Sequence, residues 1–198
     1  MNQIIRLTTG ILLFLMTSFT NDRPASVFEE KLLEAKMRFE MPKGFQDAAI
    51  ISNKQMNYEY AMKHIEKNFE VRFALRPLEG LLKSYDEKEI NKKPGDINVS
   101  PNKFYSSALL ATAMNISGGK MPQISQFPKE AVKAEFNADW GAVAKVEVAK
   151  EFGQEYKTCM IVAIHKDNAA DAYYFYLGND SQTLLELMKP IFHCLKFN

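Results

Sequence analysis

The chain has 198 residues, of which 46% are hydrophobic and 25% charged, a balance that is ordinary for a protein with its own core. Its 25 Lys and Arg residues against 24 Asp and Glu give a formal net charge of +1. This near-neutral charge gives no general attraction to nucleic acid or to anionic lipid. The length indicates a single domain after any targeting segment.

The N-terminus has the pattern of a signal peptide. Arg6 precedes a short apolar run at 11–16, and small or polar residues follow it. The run is shorter than the roughly 20 residues that a membrane-spanning helix needs. We therefore predict a signal peptide over 1–20, a mature domain over 21–198, no transmembrane anchor after cleavage, and a periplasmic or extracellular location. The alternative is a buried N-terminal helix.

The first part of the domain predicts one helix, one short strand and one hairpin. Apolar residues at helical spacing predict an amphipathic helix over 27–35, and strict alternation predicts a strand over 37–41. Two further alternating runs, 56–62 and 69–75, predict an antiparallel hairpin. Their polar alternates indicate that one face of this hairpin is wetter than the other.

The middle of the chain predicts a solvated connection followed by two helices. Residues 76–98 carry charges of both signs and predict a surface connection with one helical turn in it. The Ser-Pro pair at 100–101 is typical of a helix start, and the Gly-Gly pair at 118–119 of a helix end. A second, shorter helix is predicted to begin near Pro128.

The last part predicts a three-stranded meander and a closing helix. The strands are 142–148, 156–164 and 172–177, and their short connections make them antiparallel. The middle strand has no polar face, so both of its sides must be covered. The closing helix begins near Ser181, and Pro190 kinks or ends it. The fold class is therefore α+β, with helices on two sides of a mainly antiparallel sheet.

The sequence contains no standard catalytic or metal-binding pattern. Two cysteines cannot supply a four-ligand zinc site, and no dinucleotide, phosphate-loop or nucleophile-elbow pattern is present. We predict no catalytic residue, no cofactor and no metal. His165 and Asp167 are the one candidate acid–base pair. The other interpretation of this pair is a strand-end turn capped by polar residues.

The turn at 137–141 carries the only tryptophan of the chain. An exposed Trp140 would suit a partner-binding loop, because the indole offers a large apolar area and an N–H donor. Alternatively the turn is a structural corner, in which Trp140 covers the sheet edge and Asp139 caps backbone donors. Asp139 and Trp140 are the candidate partner-binding residues.

Five tyrosines and two cysteines carry further hypotheses. The tyrosines either line a cavity for a small apolar ligand or pack on the sheet with their hydroxyls at the surface: Tyr58, Tyr60, Tyr173, Tyr174 and Tyr176. Cys159 lies on the predicted middle strand, and Cys194 on or just after the closing helix. If that helix covers the face of Cys159, the two sulfurs could form a disulfide in an oxidising compartment. Two free thiols are an equally well supported alternative, because cysteine is often a small core residue.

The stretch FEMPKGF at 39–45 resembles the strand and following P-x-G-[WF] motif of the PsbP-like family. The order of predicted elements up to the closing helix is similar as well, so the resemblance spans residues 37–197. It implies an α/β/α sandwich around a central antiparallel sheet, and a protein that binds other proteins.

These observations predict an exported, non-catalytic domain that binds a protein partner or an envelope assembly, and not nucleic acid. One alternative is a carrier of a small apolar ligand or lipid, which would use the aromatic residues of the sheet. The other alternative is a hydrolase built on His165 and Asp167, which needs a third polar group converging with them in a pocket.

Overall fold

The computed structural model describes residues 26–198, and the predicted signal peptide at 1–20 lies outside the described residues. Within this part the fold is α+β, with a large antiparallel sheet and helices packed on both of its faces. No helix of the described part is long and apolar enough to cross a bilayer.

The described residues form six α-helices and nine strands. The helices are α1 Val27–Glu34, α2 Glu79–Ile90, α3 Tyr105–Ser117, α4 Lys129–Phe136, α5 Lys150–Gly153 and α6 Ser181–Met188. The strands are β1 Met37–Phe39, β2 Phe45–Asp47, β3 Tyr60–His64, β4 Glu70–Pro77, β5 Gln123–Gln126, β6 Trp140–Glu147, β7 Thr158–Lys166, β8 Ala170–Gly178 and β9 Leu195–Phe197. Short 3-10 turns at Pro101–Lys103 and Lys189–Ile191 precede α3 and follow α6.

Seven strands form the main sheet in the order β2-β3-β4-β8-β7-β6-β5, and every neighbouring pair is antiparallel. The predicted meander, β6 to β8, lies at its centre, and the predicted hairpin is β3 and β4. The first and last strands, β1 and β9, form a separate two-stranded ribbon. Residues 195–197 therefore lie beside residues 37–39.

The sheet separates two hydrophobic cores. One core includes Val162 and Ile164 of β7 and is covered by α1, α4, α6 and the ribbon. The other includes Cys159, Ile161 and Ala163 of the same strand and is covered by α3 and α5. The prediction that β7 must be covered on both sides is confirmed. Each fully buried Val, Ile, Leu or Phe side chain contributes about 1.5–3 kcal/mol to this arrangement.

The helix boundaries follow local sequence signals. Ser26 and Glu29 form a capping box at the start of α1, and Gly118 ends α3 in the left-handed conformation with φ 72°. The predicted helix near Pro128 is α4, and α6 stops at Met188, just before Pro190. The connection after β4 differs from the prediction. In place of a single helical turn it contains the twelve-residue helix α2.

The predicted wet face of the hairpin is wrong for β4. This strand lies between β3 and β8, and residues Glu70 to Leu75 are all buried. Arg72 Nε donates to Glu70 Oε1 at 2.6 Å, and the guanidinium lies over the rings of Tyr58 and Phe152, 5.1 and 4.8 Å from their centroids. The ion pair and the two aromatic rings thus stabilise two charged residues in the core, at positions that the alternation predicted to be solvated.

Candidate functional site

The candidate residues Trp140 and His165 lie side by side at one end of the sheet. Trp140 is the first residue of β6 and pairs with His165 of β7, which pairs in turn with Asp171 of β8. Directly opposed residues of antiparallel strands point to the same face. The register therefore brings an indole, an imidazole and a carboxylate together, on the face that α3 covers.

His165 is held between two carboxylates. Its Nδ1 lies 2.6 Å from Asp171 Oδ1 and its Nε2 lies 2.9 Å from Asp167 Oδ1. The His165 side chain is 1% exposed, whereas that of Asp167 is 62% exposed. An ionised carboxylate only accepts hydrogen bonds, so this geometry places a proton on each ring nitrogen and makes the ring an imidazolium. The predicted pair of His165 and Asp167 is thus in contact, together with Asp171.

The charge state of His165 follows from these neighbours. Burial alone would lower the pKa of the imidazole, but the hydrogen bonds to Asp171 and Asp167, together with their negative charges, outweigh it. The pKa of His165 is therefore raised above its ordinary value of 6.5. This direction favours the protonated, cationic form of the ring over the free base.

One aromatic ring covers the imidazolium, and a second ring packs against the first. The ring of Tyr105, in the first turn of α3, stacks on His165 with a centroid distance of 4.4 Å. The ring of Trp140 lies 4.7 Å from that of Tyr105, tilted by 41°. A cation under an aromatic face is attracted by the ring quadrupole. Tyr105 and Trp140 are each half-buried, so both keep part of their area at the surface.

Asp139 fixes the turn between β7 and β8. Its Oδ2 accepts a hydrogen bond from the backbone N–H of Asp167 at 3.0 Å, and its own N–H donates to the carbonyl of His165 at 2.8 Å. On the other side of the turn, Asn102 and Asn168 share two hydrogen bonds of 2.8 and 3.1 Å. Asp139 therefore has the capping role of the structural-corner interpretation, while Trp140 is neither fully buried nor fully exposed.

The arrangement holds a charge in place and is poorly suited to moving a proton. A general base needs a ring nitrogen that is free to accept, and both nitrogens of His165 are already engaged. The group that solvent reaches is the carboxylate of Asp167, beside Tyr105 and Trp140. We call the exposed parts of Tyr105, Asp139, Trp140 and Asp167 the Trp140 surface. In residues 26–198, no three His, Cys, Asp or Glu side chains are placed to hold a metal ion.

Sequence reasoning missed Asp171 and Tyr105. A signal for Asp171 was present, because His165 and Asp171 lie at equal distances from the centre of the turn at 168, so a tight hairpin pairs them. No comparable signal exists for Tyr105, whose position depends on how α3 crosses the sheet.

Four of the five predicted tyrosines, all except Tyr60, are buried in the two cores. Tyr174 donates its hydroxyl to the carbonyl of Leu195 at 2.7 Å, and the hydroxyl of Tyr176 has no partner among the described residues. The expectation that the hydroxyls reach the surface is therefore wrong for Tyr174 and Tyr176. Tyr60 is half-buried and donates to Asp47 Oδ1 at 2.5 Å.

Of the two alternatives for Cys159 and Cys194, a disulfide or two free thiols, the structure has the free thiols. Cys159 lies in the core under α3 and α5, whereas Cys194 packs against the core on the opposite face. The prediction required the closing helix to cover the face of Cys159. Helix α6 covers the other face, so the sheet itself stands between the two sulfurs. Burial raises the pKa of the Cys194 thiol to about 12.

Comparison of the chain with family models, with curated proteins and with solved structures found no match. The PsbP-like resemblance therefore stays a prediction. In the structure its motif covers the last residue of β1, a turn in which Gly44 has φ 82°, and the first residue of β2.

Proposed function

We propose that this chain is an exported, non-catalytic domain that binds a protein partner or an envelope assembly through the Trp140 surface. The observation that carries the proposal is the state of His165, whose two ring nitrogens are both occupied by carboxylates. The strongest catalytic candidate of the sequence is thus a structural ion centre. Its effect is to fix the position of the two aromatic rings and two carboxylates that remain at the surface.

The chemistry of the Trp140 surface supports binding. Trp and Tyr are enriched at binding hot spots, because a rigid ring offers a large apolar area at little cost in conformational entropy. Tyr105 is held by stacking on His165, and Trp140 packs in turn against Tyr105. Asp139 accepts a hydrogen bond from the backbone N–H of Asp167. Such a preorganised surface loses little freedom on association.

The alternatives have less support. A hydrolase would need Nε2 of His165 to be free to accept a proton from a nucleophile, and the contact of this atom with Asp167 Oδ1 at 2.9 Å opposes this. A carrier of a small apolar ligand would need the tyrosines to line a cavity, but Tyr174 and Tyr176 pack against each other with ring centroids 6.2 Å apart. The PsbP-like resemblance is consistent with the binding proposal.

The test is capture of partners from the native envelope by the immobilised full chain and its Trp140→Ala variant. We expect the variant to lose the captured partner while it keeps its fold. Because Trp140 is half-buried, its loss of stability should be smaller than the roughly 3–5 kcal/mol of a fully buried tryptophan. Leu185→Ala is the matched control, since Leu185 is 42% exposed on α6, on the other face of the sheet.

Two results would contradict the proposal. Capture that is equal for Trp140→Ala and for the wild-type chain would show that Trp140 is only a structural corner. A measured turnover that disappears in His165→Ala would show that the domain is catalytic.

A further inference from the structure

An open groove of about 780 Å³ lies between α1 and the edge of the sheet formed by β2 and β3. We call it the α1–β2 groove, and it is far from α3 and the Trp140 surface in the strand order of the sheet. Its lining residues come from four segments: Ser26, Val27, Phe28, Glu29 and Leu32; Phe39; Asp47, Ala48 and Ile50; and Glu59, Tyr60 and Ala61. Its volume lies within the roughly 300–1,000 Å³ that is common for binding sites.

The floor of the groove is a packed aromatic cluster. Phe28 and Tyr60 stack with ring centroids 4.6 Å apart, and Phe39 meets them edge-on at 5.4 and 5.1 Å. Two large apolar side chains stand at its rim, because Val27 is 62% exposed and Ile50 is 57% exposed. A ligand that covers this apolar rim and the aromatic floor removes apolar surface from water, which favours binding.

The charges of the groove all have one sign. Glu29, Asp47 and Glu59 line it, and among the described residues none of its lining side chains is basic. Glu59 is paired with Arg76 at 2.9 Å, whereas Glu29 and Asp47 accept from the neutral donors of the Ser26 backbone and the Tyr60 hydroxyl. Two carboxylates of the groove, Glu29 and Asp47, therefore have no ion-pair partner among the described residues.

The wall of the groove is an edge strand. β2 is the first strand of the main sheet and pairs only with β3 among the described strands. The backbone N–H of Phe45 donates to the carbonyl of Pro42 at 3.4 Å, whereas the backbone of Asp47 has no partner beyond β3 among the described residues and can pair with an added strand. Side chains of an extended segment alternate between two faces, so those on one face can contact the apolar floor while those on the other contact the carboxylates.

We propose that the α1–β2 groove binds an extended segment of a partner protein in which Lys or Arg alternates with apolar side chains. The apolar side chains of the segment cover Phe28, Tyr60 and Ile50, and its cations neutralise Asp47 and Glu29. This site is independent of the Trp140 surface, since the two share no residue. Either site can fail its test without affecting the other.

The experiment selects peptides from a random twelve-residue phage library with the immobilised full chain, with counter-selection against its Ile50→Lys variant. We expect the enriched peptides to alternate basic and apolar residues. The affinity of an enriched peptide, measured by fluorescence anisotropy, should fall by at least about tenfold for Ile50→Lys. Leu81→Lys is the matched control, because Leu81 on α2 is 58% exposed, and it should leave the affinity unchanged.

A second variant tests the charge without blocking the groove. Asp47→Asn keeps an oxygen that can accept from Tyr60 but removes the negative charge, so peptide binding should weaken and depend less on salt. Asp96→Asn, in the exposed connection after α2, should change neither. The proposal is overturned if no peptide is enriched, if the enriched peptides are acidic or uncharged, if Ile50→Lys and Leu81→Lys act alike, or if Asp47→Asn has no effect.

Discussion

His165 is a buried cation whose charge depends on pH, and its two carboxylate neighbours differ in exposure. Asp171 is almost as enclosed as the ring itself, whereas Asp167 is largely in solvent. The buried contact to Asp171 is therefore screened less by water than the contact to Asp167. At the scale of single residues, most of the pH dependence of this corner should come from the His165–Asp171 pair.

The raised pKa of His165 predicts that folding stability falls as the pH rises. The folded state binds the proton more tightly than the unfolded state, so the stabilisation is fully present below the ordinary pKa of 6.5. It is lost as the pH rises from there through the raised pKa of the folded state. The urea midpoint of the wild-type chain should decline across this range, and His165→Gln should remove that decline. Equal slopes for both chains would contradict the charged state of His165.

At the scale of elements, two glycines should respond to alanine in opposite directions. Gly118 ends α3 with φ 72°, and an added Cβ would meet Ala149 Cβ at an ordinary distance of 3.8 Å. The effect of Gly118→Ala is therefore backbone strain, with a loss of about 1–2 kcal/mol. Gly80 lies in α2 with nothing within 4 Å of its added Cβ. Gly80→Ala should gain up to about 1 kcal/mol.

Urea unfolding of the two alanine variants measures both changes, provided that the slope m stays the same. The midpoint should fall for Gly118→Ala and rise for Gly80→Ala. A shift in the same direction for both would mean that the conformation of the helix end does not govern the cost at Gly118.

At the scale of the whole molecule, stability should be distributed unevenly between the central strands and α2. All nine residues of β8 are buried, whereas none of the twelve residues of α2 is. We expect the amides of β7 and β8 to exchange hydrogen only through global unfolding, and those of α2 through local opening. Helix α3, with five buried residues, is the internal control. Native-state exchange that is as slow in α2 as in β8 would contradict this distribution.

The elements that sequence predicted well are those with strong periodicity of their own. β6, β7 and β8 alternate or are apolar throughout, and α4 and α6 have apolar residues at helical spacing. The short strands β2, β5 and β9 have three or four residues each, too few for a pattern. Their conformation comes from the neighbouring strand that supplies the hydrogen bonds, which local sequence does not contain.

The charged residues of β4 show a second limit. Glu70 and Arg72 alternate with apolar residues, as in a strand with one solvated face. Their burial depends on each other and on Tyr58 and Phe152, which approach from distant parts of the chain. An alternating sequence shows that polar side chains share one face of a strand. It does not show whether that face is solvated or is buried against a partner.

The candidate site was predictable to the extent that it is local. His165 and Asp167 are two residues apart, and that spacing made them a candidate acid–base pair, with a capped strand-end turn as the other interpretation. Asp171 required the register of the β7–β8 hairpin, and Tyr105 required the packing of α3 on the sheet. The difference matters for function, because the local pair alone looked like an acid and a base, and the full set forms an ion centre.

The ribbon of β1 and β9 sets the order in which the molecule can be completed. Met37 pairs with Phe197 and Phe39 with Leu195, so β1 has no partner until the ribosome has added residues 195–197. The entropic cost of closing this long loop is only slightly larger than that of a loop half as long, since the cost grows with the logarithm of loop length. The consequence is one of timing, because in every nascent chain the backbone of β1 lacks its strand partner until synthesis reaches the second strand of the ribbon.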